Sequence, residues 1–200
     1  MPPVTTALII ANVVAYLLQS VAPGLELALA LWPLDASRMS NGQVGFALWQ
    51  LVTYGFLHGS VLHLAFNMFA LYMFGGAMEL VVGPRRYLAY YFVCVIAAAV
   101  AQLVVTAMLG GLYPTVGASG GVFGLLLAYG MYFPRRMLIL LFPPIPMPAW
   151  LFVTLYGLLE LYFGVTGTAA GVAHFAHLGG MLGAWLIIRH WRGGPPSGRR

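Results

Sequence analysis

Residues 86–110, RYLAYYFVCVIAAAVAQLVVTAMLG, are mostly apolar and contain no charged side chain after the first position. A helix needs about 20 such residues to cross a hydrocarbon core about 30 Å thick. In hydrocarbon the backbone must satisfy its own hydrogen bonds, and this run lacks the strict apolar–polar alternation of a barrel strand. The stretch therefore predicts a membrane-spanning helix.

The whole chain has the composition of a membrane protein, with 62% hydrophobic and 6% charged residues. Soluble domains usually carry about 25% charged residues. We therefore predict an all-α membrane protein, in which one domain of six transmembrane helices occupies residues 1–192 and a disordered tail occupies residues 193–200. The first helix is not interpreted as a signal peptide, because no positive charges precede it. The five further apolar runs lie at 4–22, 59–82, 118–133, 148–166 and 172–191.

All nine basic residues are arginine, and most stand at the ends of the apolar runs. With six spans, both termini share one side of the membrane. That side also holds the loops at Arg85 and Arg135 and the tail, and so eight of the nine arginines. Because basic residues concentrate in cytoplasmic loops, both termini are predicted to be cytoplasmic. No basic stripe with interleaved aromatic residues occurs, which argues against nucleic acid as a partner.

Two connections between the runs have distinct compositions. Residues 23–58 are too apolar for a soluble loop, so we expect this long segment to lie partly in the outer interface with its tryptophans at headgroup level. The proline-rich residues 142–150, FPPIPMPAW, predict a stiff cytoplasmic connection.

Residues 117–121, GASGG, place a serine among apolar residues. Ser119 lies 16 residues before Arg135, the cytoplasmic end of the fourth helix. It therefore rises only about 24 Å and lies roughly 6 Å below the outer boundary, at a cavity open to the outside. G-x-S-x-G is also typical of the nucleophile elbow of α/β-hydrolases, but no strand pattern precedes this serine. Glycine-rich helix packing is the other interpretation of the motif taken alone.

Three more polar side chains are expected at similar depths. The helical rise from Arg189 places His177 about 12 Å below the outer boundary. The rise from Arg85 places Asn67 about 3 Å below that boundary and His63 near the boundary itself. His63 and Asn67 are four residues apart and share one helix face. Polar side chains within the membrane are functional candidates by default.

Small residues on the fourth and sixth helices predict a close approach between them. Gly120 and Gly124 have small-xxx-small spacing, as do Gly179 and Gly183. We expect this approach to bring Ser119 within hydrogen-bond distance of His177. The first N–H groups of the fourth helix would then favour an oxyanion beside the serine.

Three short motifs occur in order: HLAFN at 63–67, GASG at 117–120 and AHLGG at 176–180. Together with six helices and a long first loop, they resemble the rhomboid intramembrane serine proteases. The resemblance implies a rhomboid-like helical bundle and a catalytic dyad of Ser119 as nucleophile and His177 as general base and acid. It also implies an oxyanion hole formed by His63, Asn67 and the Ser119 backbone N–H.

The resemblance implies further roles and partners. Single-pass transmembrane proteins would be cut near the outer end of their helix, in contact with membrane lipid, by a site that opens to the extracytoplasmic side of a bacterial inner membrane. No cofactor or metal is expected. Family members often carry Trp-Arg where this chain has Trp49-Gln50, which puts the anchoring of the first loop in question. The residues expected to support the site are Gly117, Gly120, Phe123, His174, Gly180 and Gly183.

Two other functions remain open from the residues alone. A rhomboid-like pseudoprotease would hold membrane clients without cutting them, and a small transporter could use histidine and Glu160 as a proton relay. Glu160 itself is expected near mid-membrane, where it is protonated, paired or facing water, and a third catalytic role is one alternative among these.

Overall fold

The structure is built almost entirely from helices. The computed structural model describes residues 2–22, 24–140, 143–168 and 171–193. A 3-10 turn, Tyr54–Phe56, precedes the second long helix, and a π-helical turn, Leu71–Gly75, joins that helix's two halves, α5 and α6. The helices are α1 (Pro3–Val21), α2 (Gly24–Leu29), α3 (Ala36–Met39), α4 (Gln50–Thr53), α5 (Val61–Ala70), α6 (Gly76–Val82), α7 (Pro84–Leu109), α8 (Ser119–Tyr132), α9 (Ala149–Thr166) and α10 (His174–Gly193).

Four of the described helical segments are long and apolar enough to cross a membrane: α1, the continuous α5–α6, α7 and α9. The prediction of a helical membrane protein is therefore confirmed. With 14 residues α8 is about 21 Å long, shorter than the hydrocarbon core of about 30 Å. The helix α10 has 20 residues but carries histidines and arginine, so the count of six crossings stays a prediction.

Local sequence explains where two helices begin and end. The side chain of Ser60 accepts a hydrogen bond from the His63 backbone N–H at 3.1 Å, which caps the start of α5. The second example is the C-terminal end of α9, which is followed by Gly167. The φ of Gly167 is +65°, in the left-handed region that favours glycine. Both signals are local, so the sequence alone indicates them.

The centre of the bundle is α10, which packs mainly against α7 and α8. A Cβ on Gly180 would collide with the main-chain oxygen of Gly120, so these two glycines set the close approach of α10 to α8. The expectation that Gly179 and Gly183 face α8 is wrong. A Cβ on Gly183 would lie 2.6 Å from Ala97 Cβ, and Gly179 likewise faces α7. The glycine-rich surface of α10 therefore serves two neighbouring helices.

The long loop between α1 and α5 is fastened internally by Gln50, which is 2% exposed. Its Oε1 accepts from the backbone N–H of Trp32 at 3.2 Å, and its Nε2 donates to the carbonyls of Gly45 (3.1 Å) and Ala28 (3.3 Å). Trp49 is exposed, whereas Trp32 is buried within the fold. The amide at position 50 thus anchors the loop without an arginine.

Two further contacts tie the periphery to the core. Leu31 in the long loop pairs antiparallel with Thr115, just before α8. At the opposite end of the bundle, the carboxylate of Glu79 accepts from the backbone N–H groups of Val4 (2.9 Å) and Thr5 (2.7 Å) and from the Thr5 hydroxyl (2.8 Å). Glu79 therefore caps α1 from α6.

A short antiparallel hairpin, absent from the sequence prediction, precedes α9. Its strands are β1 (Met137–Ile139) and β2 (Pro146–Pro148), paired with Leu138 opposite Met147. Prolines 146 and 148 lack an N–H, so periodicity and propensity gave no strand signal here. Leu138 and Met147 are both buried, which explains why the connection folds back onto the bundle.

The last helix ends close to the boundary that the sequence predicts between the membrane domain and the tail. The helix α10 includes Gly193, so it extends one residue into the predicted tail, and residues 194–200 lie outside the described part of the chain.

Candidate active site

Ser119 is the first residue of α8 and is partly exposed. The turn before it depends on Gly117, whose φ of +132° favours glycine. A Cβ on Gly117 would lie 2.8 Å from His63 Cε1, so space also demands glycine. The Gly117 N–H donates to the Tyr54 carbonyl at 2.9 Å. The serine is therefore held at a helix N-terminus, where the first backbone N–H groups have no partner within the helix.

His177 lies opposite this serine on the first turn of α10. Its Nε2 is 2.8 Å from Ser119 Oγ, across 58 positions of sequence. The imidazole is 7% exposed and stacks on Phe123, with ring centroids 4.2 Å apart and planes inclined by 6°. The structure thus brings together the predicted nucleophile, the predicted base and the predicted aromatic support.

Glu160 adds a carboxylate to this pair from α9. Its Oε2 lies 2.9 Å from His177 Nδ1 and 2.7 Å from His174 Nδ1. A carboxylate beside Nδ1 favours the tautomer that carries its hydrogen there, which leaves Nε2 able to accept the serine proton. The sequence places Glu160 in the membrane but does not assign its partners.

His63 borders the same space from α5. The Gly59 N–H donates to His63 Nδ1 at 3.4 Å, which leaves Nε2 to carry the hydrogen. A Cβ at Gly117 would lie 3.0 Å from this Nε2 and 3.5 Å from Ser119 Oγ. A donor, a nucleophile and a helix N-terminus therefore line one small space.

Asn67 lies one turn after His63 on the same face and is 5% exposed. Its Nδ2 donates to the His63 carbonyl at 3.0 Å. An amide nitrogen has two hydrogens, so a second donor remains beyond this bond. The predicted oxyanion role of Asn67 depends on that second hydrogen.

His58 packs behind His63 in the loop before α5. The two rings meet edge to face with centroids 5.0 Å apart, and His58 is 1% exposed. Its ring nitrogens have no hydrogen-bond partner among the described residues. Burial, with a smaller contribution from His63, lowers the pKa of His58 to about 4. His58 is therefore a neutral support for His63 at physiological pH.

One group of side chains has the composition of a metal site. The ligating atoms of Glu160, His174 and His177 all lie within 4.8 Å of one another. Both histidine Nδ1 atoms contact one carboxylate oxygen at 2.7 and 2.9 Å, which are distances of charge-assisted hydrogen bonds. His177 Nε2 is engaged with Ser119 at the same time. The geometry is that of a hydrogen-bonded cluster.

The remaining predicted site residues occupy different positions around the serine. Gly120 contacts Gly180 where α8 meets α10, and His174 contacts the site through Glu160 and through the edge of the His177 ring. Gly183 lies six residues after His177 and faces α7. It therefore supports the packing of α10 against α7 and does not contact the site. The sequence left the role of Glu160 open between several alternatives, and the structure places its carboxylate against His177 and His174.

The chain is similar to known proteins over most of its length. The Rhomboid domain family matches residues 45–191. Rhomboid protein 1, mitochondrial, of Saccharomyces cerevisiae is 31% identical over 147 residues, which cover 67% of this chain and 40% of the relative. Rhomboid protease GluP of Bacillus subtilis is 29% identical over 140 residues, or 69% and 25% of the two chains. Rhomboid protease GlpG of Photorhabdus laumondii is 29% identical over 195 residues, or 94% and 61%. The chain spans less than two thirds of each of these relatives.

Proposed function

We propose that this chain, which belongs to the rhomboid family, is an intramembrane serine endopeptidase that cleaves peptide bonds near the outer end of transmembrane segments. The family match and the relatives named as proteases support protease activity in a multi-span membrane protein. The observation that carries the proposal is the 2.8 Å contact between Ser119 Oγ and His177 Nε2 at the start of α8.

Acylation follows from this contact. A serine hydroxyl is a weak nucleophile until a base removes its proton. His177 Nε2 takes the proton from Ser119 Oγ while the oxygen attacks the scissile carbonyl carbon and a C–O bond forms. The carbonyl oxygen becomes an oxyanion, and the C–N bond then breaks as His177 returns the proton to the leaving nitrogen.

Deacylation repeats the cycle with water. Water gives a proton to His177 Nε2 and its oxygen attacks the acyl carbon, after which the proton returns to Ser119 Oγ and the carboxylic acid leaves. Ser119 is partly exposed at the N-terminal end of the short helix α8, which is consistent with access of water to the serine.

Three donors are assigned to the oxyanion: His63 Nε2–H, an Asn67 Nδ2–H and the Ser119 backbone N–H. Charge that develops in a site of low dielectric needs such donors in advance, and the loss of one is worth on the order of 3 kcal/mol in the transition state. His63 Nε2 and Ser119 Oγ both lie within 3.5 Å of the position that a Cβ on Gly117 would take, which supports the assignment of His63.

Substrates are proposed to be single-pass membrane proteins. A helical peptide bond is shielded by its own turn, so the substrate must unwind locally, and small or helix-breaking residues should mark the cleaved segment. With both termini assigned to the cytoplasm by the arginine distribution, the start of α8 lies on the extracytoplasmic side.

A cleavage assay tests the proposal. The purified 200-residue chain is incubated with a panel of single-pass reporter substrates, beside Ser119→Ala and His177→Ala, and folding is checked by circular dichroism. We expect cleavage by the wild type and none above background by either variant. Folded wild-type protein that binds the substrates but cleaves none of them would instead indicate a pseudoprotease.

A further inference from the structure

Glu160 is a carboxylate in the middle of a membrane-spanning helix. It is 9% exposed, and the ion pairs found in the described part of the chain are its contacts with two histidines. Burying a charge without partners is costly, so such a group persists only where it is paired. The partners here include the proposed catalytic base, and this connects the carboxylate to the reaction.

A single oxygen of Glu160 receives both histidines. Oε2 accepts from His177 Nδ1 at 2.9 Å and from His174 Nδ1 at 2.7 Å. His174 thereby holds the same carboxylate oxygen that His177 contacts. The result is a chain of hydrogen bonds from Ser119 through His177 and Glu160 to His174.

Two restraints act on the His177 ring. Stacking on Phe123, with an angle of 6° between the rings, sets the plane of the imidazole. The bond to Glu160 sets the rotation within that plane and keeps the hydrogen on Nδ1. With both restraints in place, the Nε2 lone pair points at Ser119 Oγ.

Resting on the proposed protease function, we propose that Glu160 is a positioning residue for the catalytic histidine. It orients His177, selects the tautomer that accepts the serine proton and stabilises the imidazolium that forms in the transition state. Glu160 does not itself take up the proton, which returns from Nε2 to the leaving group. Three helices then contribute to this hydrogen-bonded chain: α8 carries Ser119, α10 carries His177 and α9 carries Glu160.

The position of α9 therefore affects the chemistry. Within the described helix only Ala149, Val153 and Glu160 are buried, so few other side chains of α9 are enclosed by the bundle. His177 is correctly oriented only while this stretch of α9 stays against α10.

The chain offers a matched control in Glu79. This buried carboxylate also accepts hydrogen bonds between helices, from the backbone N–H of Val4 and from Thr5, but it contacts neither histidine. Glu79→Gln and Glu160→Gln both remove one buried negative charge and keep the side-chain shape. If Glu160 has only a structural role, the two variants should have similar labelling rates and kcat per folded molecule.

The test measures the rate at which a fluorophosphonate labels Ser119 in the purified full chain, together with kcat and KM for a reporter substrate. In labelling, Ser119 Oγ bonds to phosphorus, fluoride leaves and the serine proton goes to His177. We expect Glu160→Gln to lower the labelling rate and kcat by roughly 10- to 100-fold per folded molecule, with KM within about twofold of wild type. Glu79→Gln should label at the wild-type rate after correction for the folded fraction.

A Glu160→Gln protein that labels at the wild-type rate would overturn the inference. If that variant does not accumulate, Glu160→Asp keeps the charge but shortens the side chain by one methylene, and the same loss of labelling is expected. Wild-type labelling by Glu160→Asp would then overturn it. Folded wild-type protein that neither labels nor cleaves would refute the protease function itself, whereas an active wild type beside an unaffected variant refutes only the role of Glu160.

Discussion

Gly120 and Gly180 touch through their main chains where α8 meets α10, and this contact sets the distance between Ser119 and His177. Gly180 is three residues after His177, so any displacement of α10 at this point moves the imidazole. The opposing atom is a main-chain oxygen, which cannot rotate away from an added methyl group.

Gly180→Ala is therefore expected to lower both activity and stability. An added methyl group in a tightly packed contact lowers the free energy of unfolding by about 1–3 kcal/mol. We also expect kcat to fall at least about tenfold, because the added methyl group moves His177 away from Ser119. Thermal unfolding and the reporter-substrate assay measure the two effects. Gly157→Ala is the control, since a Cβ there meets Met181 Cε at an ordinary 3.4 Å. Equal unfolding temperatures and equal kcat in the two variants would contradict the conclusion that the contact between Gly120 and Gly180 sets the position of His177.

Phe123→Leu is expected to reduce kcat with little effect on KM. The stack between Phe123 and His177 fixes the ring plane, and such aromatic pairs contribute about 0.5–1.5 kcal/mol, which corresponds to a fall of roughly 2- to 12-fold. Steady-state kinetics give the comparison. Phe74→Leu breaks another aromatic pair, with Tyr129 at a centroid distance of 5.2 Å, and should leave kcat unchanged. A loss of kcat in both variants would argue for a general packing effect.

Gln50→Ala is expected to destabilise the long loop. It leaves the Trp32 N–H and the Gly45 carbonyl without their buried partner, at a cost of about 1–3 kcal/mol for each unsatisfied group. Limited proteolysis between α1 and α5 should become faster, and the unfolding temperature should fall. Gln43→Ala, at an exposed position of the same loop, serves as the control. Unchanged proteolysis in Gln50→Ala would show that other contacts hold the loop.

Acid is expected to destabilise the protein through His58. Its folded-state pKa of about 4 lies below the ordinary value near 6.5, so the unfolded chain takes up this proton first as the pH falls. The contribution of His58 to stability is complete above about pH 6.5 and is lost progressively between pH 6.5 and 4. Unfolding temperatures measured across this range in His58→Leu should depend less on pH than those of the wild type.

The matching control for this pH series is His190→Gln, which removes an exposed histidine of α10. Its unfolding temperatures should follow the wild-type pH dependence. A His58→Leu protein with the full wild-type pH dependence would assign the acid effect to other groups, of which His63 is the nearest.

Much of the site could be predicted because its signals are local. His63 and Asn67 share a face at a spacing of four residues, and the distance of Ser119 from Arg135 along the helix predicts its depth. The sequence prediction was wrong where rotation about a helix axis decides the contact. Neighbouring residues of a helix differ by about 100°, so of the adjacent Gly179 and Gly180 one faces α7 and the other α8.

By itself the sequence determined the helical membrane class, because lipid leaves an apolar chain few ways to satisfy its backbone, and it predicted Ser119 and His177 as the candidate pair. Only the tertiary structure decided that the carboxylate of Glu160 meets the second nitrogen of His177. Glu160 precedes that histidine by 17 residues on another helix, and no periodicity within one helix specifies how two helices face each other. The packing of α9 against α10 settles that orientation, since a buried charge is stable only beside its partners.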